Sequence, residues 1–308
     1  MFPGDLERFG PQPKEPRLLS PRQSRRYCRR LARRHYENFT VASFFLPRRL
    51  RRHFYHVYAY CRWADDLADE TGDPQRSLAL LGWWEEQLRE CYEGKASHPV
   101  FTALSETIRK FEIPADPLLD LLVAFRQDQR VTRYETWDEL LQYCRYSANP
   151  VGRLVLYLGR SHTERKARLA DSICTGLQLA NFWQDVAGDF DRGRIYLPQA
   201  DCRRYGYGEP DFARRECNEA FRLLLAAEVD QAEGWLRRGA PLIDLLPFEL
   251  KLQVALFVRG GLEILEAIRR QHFDVWTSRP VVPKMTRLRI LAGSWWRLQR
   301  GTLTGDEL

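Results

Sequence analysis

The sequence places acidic side chains on a predicted helix at positions where apolar side chains would be expected. Residues 47–70 have the spacing of a long helix. An advance of about 100° per residue puts Asp65 and Asp69 on the same stripe as Phe54, and Asp66 lies at the edge of that face. A carboxylate on a core-facing stripe is costly unless a cation or a hydrogen-bond donor meets it. The stripe therefore predicts either an internal salt-bridge network or a cation-binding site.

A second predicted helix, at about residues 163–188, repeats this arrangement. Asn181, Asp185 and Asp189 follow one another at intervals of four residues and share a sector with Gln178. Hard divalent cations, Mg²⁺ above all, use one or two carboxylates each and complete their coordination with water and phosphate oxygens. Two such helices therefore predict a site where Mg²⁺ allows acidic side chains to hold a diphosphate that they would otherwise repel.

Two arginines accompany these acids in the sequence. Arg62 comes one turn before the first acid, and Arg194 lies just beyond the second set. A guanidinium group binds phosphate oxygens through paired hydrogen bonds, so both residues are candidates for a diphosphate contact. In a chain with 48 Lys and Arg, the same positions fit surface residues equally well.

The wider sequence favours an all-α fold that positions these two helices. The chain has 308 residues, of which 44% are hydrophobic and 29% charged, so it can bury a sizeable core. No run of alternating strands and no solenoid repeat is found, and residues 194–198 read as extended. The predicted helices cover approximately residues 24–39, 47–70, 75–93, 98–112, 116–130, 136–146, 150–160, 163–188, 211–238, 247–271 and 284–300.

Three regions follow from this pattern. Residues 1–22 are predicted as an irregular arm, residues 23–275 as one helical domain, and residues 276–308 as a C-terminal amphipathic helix. The last segment is predicted either to pack on the domain as a lid or to lie at a membrane surface. Its apolar residues stand among arginines: Leu288, Ile290, Leu291, Trp295, Trp296 and Leu298.

Charge and cysteine usage bound the location and the partners. The net charge of +7 is concentrated in residues 1–52, which have 14 Lys and Arg against 4 Asp and Glu. The basic face is interpreted as solvated, with a peripheral contact to the inner face of the cell membrane as the alternative and no module for nucleic acid. The longest stretch without a charge, Ser172 to Gln184, is shorter than the roughly 20 residues of a membrane span. Seven scattered cysteines suit a reducing, cytoplasmic setting.

Two stretches of the sequence resemble the aspartate-rich signatures of the squalene/phytoene synthase family. They are HVYAYCRWADDLADE at 56–70 and LQLANFWQDVAGDFDRGRIYLP at 177–198, and residues 126–154 resemble the segment between them. The resemblance runs from about Ser24 to at least Arg270. It implies a single-domain helical bundle of the isoprenoid synthase type with a central apolar cavity, and a Mg²⁺-dependent enzyme that acts on a prenyl diphosphate.

The resemblance also implies roles for individual residues. The implied Mg²⁺ ligands are Asp65, Asp66, Asp69, Asn181, Asp185 and Asp189. The catalytic set is Asp65, Asp69, Asp185 and Asp189 with Tyr58 and Tyr143, and the implied substrate-binding residues are Arg62, Phe39, Gln178 and Gly152. Trp183, for its aromatic ring, and Arg194, for its charge and position, are further candidates to bind substrate. Aromatic ring faces among them would stabilise a carbocation without trapping it. Trp183 and Phe39 fit ordinary core residues equally well.

One departure from the family pattern concerns the second signature. Gln184 stands where phytoene and squalene synthases commonly have an arginine, and Phe182 and Trp183 are bulkier than the usual aliphatic pair. The departure implies that one diphosphate contact is missing, which suits an enzyme whose substrate carries a single diphosphate.

The implied activity is the conversion of presqualene diphosphate and water to hydroxysqualene, as in bacterial hopanoid synthesis. Residues 35–54 and the stretch SANPVG at 147–152 resemble the family members with that activity. The alternatives are squalene, dehydrosqualene or phytoene synthesis from two prenyl diphosphates, and a non-catalytic scaffold that binds prenyl lipids. Sequence alone does not decide whether the carbocation is quenched by water, by hydride or by loss of a proton. The intact acids argue against the scaffold.

Overall fold

A computed structural model of the chain describes residues 4–12, 18–34, 48–69 and 71–306. Within these ranges every regular element is a helix, and one isolated parallel bridge joins Arg133 to Ile195. The all-α prediction is therefore confirmed. The helices are α1 Asp5–Phe9, α2 Pro21–Arg34, α3 Arg48–Asp69, α4 Pro74–Tyr92, α5 Pro99–Phe111, α6 Asp116–Gln127, α7 Trp137–Ser147, α8 Asn149–Leu158, α9 Glu164–Gln184, α10 Val186–Asp191, α11 Gln199–Tyr205, α12 Glu209–Arg214, α13 Glu219–Gly239, α14 Leu242–Leu245, α15 Phe248–Arg270 and α16 Lys284–Gln299.

Capping residues explain why most predicted helices begin where they were expected. The carboxylate of Asp73 accepts a hydrogen bond from the amide of Gln75 at the start of α4, and a proline occupies the first helical position. Thr136 and Thr163 cap α7 and α9 in the same way. These caps are local in sequence, so the positions of the helix starts could be predicted without tertiary information.

The structure differs from the prediction in several places, and α11 and α14 have no predicted counterpart. The helix predicted over 163–188 ends at Gln184, and α10 begins after a break at Asp185. The helix predicted over 211–238 is divided into α12 and α13, because Arg215 adopts a left-handed backbone with φ of 51°. The arm predicted as irregular contains α1, whose Asp5 accepts a hydrogen bond from the Tyr27 hydroxyl.

The helices form two compact units. The first comprises the described residues up to Arg130 together with 154–160, and the second comprises 131–153 and the described residues from Ser161 onward. In the first unit α2 packs on α3 and α5, and α3 also packs on α4. Its core contains Trp63 stacked on Trp84, with ring centroids 5.2 Å apart.

The second unit is built on close packing between α9 and α13. Gly176 allows this approach, because a Cβ atom at that position would lie 2.7 Å from Cγ of Leu236. α15 packs on both helices, and α16 packs on α15. The predicted C-terminal helix is thus part of the second unit, while the predicted boundaries near residues 22 and 275 stay predictions.

Two further observations concern the chain as described. None of its helices combines the length and the apolar character that crossing a bilayer requires. All seven cysteines fall within the described ranges and are free thiols, and burial raises the pKa of several of them, that of Cys174 to about 12. A high pKa makes these thiols poor nucleophiles, which agrees with a packing role.

Candidate active site

The first set of acids is held by an arginine on the same helix. Arg62 Nη1 donates to Asp65 Oδ2 at 2.9 Å, and Arg62 Nη2 forms an ion pair with Asp66 Oδ1. The side chain of Asp66 is 1% exposed, whereas that of Asp65 is 42% exposed. Asp69, at the end of α3, is exposed. The predicted stripe was therefore wrong in one respect: Asp66 is the most buried of these acids because it shares the face of α3 that is packed in the core.

Tyr58 lies one turn before Arg62 and is half-buried. Burial raises the pKa of its hydroxyl, while the positive charge of Arg62 acts in the opposite direction. The phenol therefore stays protonated at neutral pH and can donate a hydrogen bond. The structure thus places Tyr58, Arg62 and Asp65 along one side of the same helix.

The second set of acids lies at a helix break and not along one continuous helix. The amide of Asp185 donates to the carbonyls of Asn181 and Phe182, and Asp185 then leaves the helical conformation with φ of −116° and ψ of 22°. Its carboxylate folds over Gly188, where a Cβ atom would lie 2.7 Å from Oδ1. A side chain at position 188 would therefore displace the carboxylate of Asp185.

Asp185 is close enough to Asp189 to affect the ionisation of Asp189. Burial, and next the negative charge of Asp185, raises the pKa of Asp189 to about 6. The positive charges of Arg192, Arg194 and Arg279 act in the opposite direction. A bound cation would relieve this repulsion, so the two carboxylates have the electrostatic character of a cation site.

Two of these arginines were missed by the sequence reasoning. Arg192 Nη1 lies 3.4 Å from Asp189 Oδ1, and Arg279 Nε donates to Asp185 Oδ1 at 3.2 Å. Arg192 could have been found, because it is three residues from Asp189 on the same turn. Arg279 could not, because 94 residues separate it from its partner. The predicted Arg194 is also present, and its amide donates to the carbonyl of Asp189 at 2.9 Å.

Gln184, the departure from the family pattern, is bound to the segment that carries Arg279. Its side chain is buried, and its Nε2 donates to the carbonyl of Pro280 at 2.6 Å. Pro280 directly follows Arg279, so Gln184 holds the segment that brings Arg279 to Asp185. Gln184, which stands where the family commonly has an arginine, thus helps to position Arg279.

The aromatic candidates occupy two different environments. Tyr143 is buried beside Tyr134 and Tyr196, and Tyr196 stacks on Phe182 with ring centroids 3.7 Å apart. Trp183 is fully buried, and its indole N–H donates to the carbonyl of Glu228 on α13 at 3.0 Å. Trp183 therefore has the packing of an ordinary core residue, which was the alternative interpretation.

The remaining candidates are placed as follows. Gly152 lies where α8 meets α9, and a Cβ atom there would be 2.7 Å from Sγ of Cys174, so it permits close packing. Gln178 is half-buried and Asn181 is exposed, both on α9. Phe39 lies outside the described residues. The predicted central apolar cavity stays a prediction.

The donor set suits Mg²⁺ although it does not form a complete cage. Within the described ranges, no three His, Cys, Asp or Glu side chains converge closely enough to hold a metal ion. Mg²⁺ needs only one or two protein carboxylates, because water and phosphate oxygens complete its octahedron. Asp185 and Asp189, with the raised pKa of the latter, meet that requirement.

The sequence is similar to known proteins over most of its length. The sequence matches the squalene/phytoene synthase family over residues 32–287. It is 26% identical over 283 residues to the 15-cis-phytoene synthase of Synechococcus elongatus, covering 88% of this chain and 92% of that protein. It is 28% identical to the phytoene synthase of Arthrospira platensis, covering 86% of this chain and 90% of that protein.

Two solved structures share the fold at appreciable identity. The squalene synthase HpnC from Alicyclobacillus acidocaldarius is 46% identical, with a TM-score of 0.79 over 82% of this chain and 95% of that chain. A dehydrosqualene synthase in complex with a ligand is 27% identical, with a TM-score of 0.82 over 91% of this chain and 98% of that chain. The predicted isoprenoid synthase fold is therefore confirmed.

Proposed function

The chain belongs to the squalene/phytoene synthase family, and we propose that it converts presqualene diphosphate and water to hydroxysqualene and diphosphate. The identity of 46% to the squalene synthase HpnC, compared with 27% to the dehydrosqualene synthase and 26% to a phytoene synthase, favours a squalene-type synthase. The resemblance at residues 35–54 and 147–152 favours water as the group that ends the carbocation. The orientation of Gln184 adds support, because this side chain is buried and is not available to a second diphosphate.

The acids and arginines bind the leaving group in this proposal. The residues that would hold Mg²⁺ are Asp65, Asp66, Asp69, Asn181, Asp185 and Asp189. When bound, Mg²⁺ neutralises the diphosphate and makes it a better leaving group. Arg194 and Arg279 can exchange their contacts with acids for contacts with diphosphate oxygens, because guanidinium binds both groups with the same paired geometry.

The uncharged side chains act on the diphosphate and on the organic part of the substrate. Tyr58 keeps its proton and can donate a hydrogen bond to a diphosphate oxygen or to water. Ring faces such as that of Tyr143 can stabilise a carbocation and offer no strong nucleophile. Trp183 is used here only as a core residue, since its indole N–H is already bound to the backbone of α13.

Product analysis tests the proposal. The purified protein is incubated with presqualene diphosphate and Mg²⁺, with and without NADPH, and the organic extract is analysed by mass spectrometry. An alcohol formed without reductant is the expected product. A hydrocarbon product would contradict the proposal and would identify a squalene or dehydrosqualene synthase.

A second incubation distinguishes the remaining alternatives. Farnesyl and geranylgeranyl diphosphate are supplied in place of presqualene diphosphate, and pyrophosphate release is followed. Condensation of two such molecules would favour a phytoene or squalene synthase, a candidate supported by the similarity to phytoene synthases. If no prenyl diphosphate gives Mg²⁺-dependent pyrophosphate release, the scaffold that binds prenyl lipids becomes the better hypothesis.

A further inference from the structure

The C-terminal helix α16 is attached to the second unit by one face only. Ser294 and Leu298, one turn apart, are buried. Arg259 on α15 donates from Nη1 to the hydroxyl of Ser294 at 3.2 Å, and Arg287 donates from Nε to the carbonyl of Val282. These contacts orient the helix and leave its opposite face directed outward.

The outward face carries large apolar side chains. With an advance of about 100° per residue, Met285, Leu288, Trp295 and Trp296 fall within a sector of about 100° that excludes Ser294 and Leu298. We call these four residues the outer stripe. Their exposed fractions are 75%, 57%, 47% and 53% respectively. Exposed apolar residues at helical spacing are unusual on a protein surface and mark an interaction site.

Cationic side chains flank the outer stripe on both edges. By the same helical spacing, Lys284 lies on one edge, and Arg289 and Arg300 lie on the other. The guanidinium of Arg300 is 3.7 Å from the ring centroid of Trp296. The sequence of α16 contains no Asp or Glu. The face therefore combines apolar bulk with positive charge and offers no negative charge.

We propose that the outer stripe of α16 docks on an anionic lipid bilayer, with the helix lying in the plane of the interface. The four side chains of the outer stripe enter the boundary between the headgroups and the acyl chains. Lys284, Arg289 and Arg300 contact lipid phosphates. The inference does not depend on which prenyl diphosphate the protein uses.

Charge distribution selects a bilayer over a second copy of the chain. A two-fold symmetric dimer through this face would bring two α16 helices together, each with cations and no acid, and these would repel each other. An anionic bilayer meets both properties of the face, because its phosphates accept the cations and its hydrocarbon accepts the apolar stripe.

Vesicle flotation with the full chain tests the proposal. Vesicles of phosphatidylcholine with about 30 mol% phosphatidylglycerol are compared with phosphatidylcholine alone. The parent protein should float with the anionic vesicles, and Trp295→Ser/Trp296→Ser should weaken that binding at least about tenfold. Leu223→Ser is the matched control, since Leu223 is an exposed apolar residue on α13 of the same unit and should bind as the parent does.

Further variants keep the test decisive. If the double tryptophan variant is unfolded by circular dichroism, Met285→Ser/Leu288→Ser replaces it, with the same expected loss. Arg289→Glu/Arg300→Glu should also abolish flotation, whereas Arg29→Glu/Arg33→Glu on α2 should leave it unchanged.

Four results of the flotation experiments would overturn the proposal. They are no flotation of the parent, equal flotation with neutral vesicles, unchanged flotation of the stripe variants, and dependence on the α2 arginines in place of the stripe. A dimer of the parent that the tryptophan variant loses in sedimentation, without vesicle binding, would show that a second copy occupies the face and would also overturn it.

Discussion

The two acid-rich regions pair their carboxylates with arginines in different ways. On α3, the acids stand on an unbroken helix, and Arg62 of that helix pairs with Asp65 and Asp66. In the second unit, the helix breaks at Asp185, and the partner Arg279 comes from a segment 94 residues away. The first arrangement is local, whereas the second depends on how α15 and the segment before α16 return to α9.

The difference extends to the buried carboxyl groups near each set. Asp66 is buried and is paired with a guanidinium. Glu228, whose backbone receives the indole N–H of Trp183, is also buried, but burial and the nearby Asp201 raise its pKa to about 9. One unit therefore stabilises a buried acid by pairing its charge, and the other does so by retaining its proton. Each device makes a different prediction.

The largest expected effect is the loss of turnover when an acid is removed. Asp65→Ala and Asp185→Ala should each reduce turnover at least about 10³-fold, because the carboxylates would hold the cations that stabilise the departing diphosphate. Steady-state pyrophosphate release measures this, and circular dichroism checks that the helical fold is intact. If both variants stay within about tenfold of the parent, the assignment of these acids is wrong.

Replacing the arginine of each region should lower the free energy of unfolding by different amounts. Arg62→Met should lower the free energy of unfolding by about 2–3 kcal/mol, less than the roughly 3–5 kcal/mol of a fully buried pair because the guanidinium is partly exposed. Arg279→Met should cost less than about 1 kcal/mol, since both members of its pair are partly exposed.

Urea denaturation of the two arginine variants provides the measurement, with pyrophosphate release as a second readout. Arg279→Met should slow pyrophosphate release clearly while changing the free energy of unfolding only slightly. Equal destabilisation by the two substitutions would remove the contrast between a local buried pair and a distant exposed pair.

The proton on Glu228 predicts a pH dependence of stability. Its folded pKa of about 9 is above the unfolded value, so the stability that this proton contributes is complete below about pH 4. That contribution is lost as the pH rises to about 9, at a rate of at most about 1.4 kcal/mol per pH unit. The parent should therefore lose free energy of unfolding between pH 5 and pH 8, and Glu228→Gln should not. Relative to the parent, the free energy of unfolding of Glu228→Gln should rise by at least about 1 kcal/mol over this range.

Denaturation midpoints at the two pH values measure this gain. Glu219→Gln is the matched control, because Glu219 is exposed at the start of the same helix and should show no such gain. A Glu228→Gln variant whose difference from the parent is the same at both pH values would show that Glu228 is already ionised in the folded protein.

The smallest expected effect concerns Gln184. Gln184→Leu removes the hydrogen bond to Pro280 and should cost about 1 kcal/mol of stability. Because Pro280 adjoins Arg279, the KM for the prenyl diphosphate should rise about three- to tenfold with little change in kcat. Gln184→Asn, which keeps an amide, should recover part of the KM. An unchanged KM in the leucine variant would show that Gln184 does not position Arg279.

Much of the fold could be predicted because its signals are local. Asp73, Thr136 and Thr163 cap helices at the positions where the chain was expected to enter them. The break at Asp185 could not be predicted, because the side chains from 172 to 189 have the spacing of one continuous helix. The helix ends because Asp185 alone adopts a non-helical backbone conformation, with φ of −116° and ψ of 22°, which the periodicity of side-chain types does not encode.

The sequence by itself determined the helical class, the two acid-rich signatures and the position of Arg62 one turn from the first acids, since all of these depend on residues within one or two helical turns. Only the tertiary structure decided that Asp66 and not Asp69 is buried, that Arg279 reaches Asp185 and that Gln184 holds Pro280. Burial and contacts across 94 residues depend on which helices pack together, and no short-range periodicity encodes that choice.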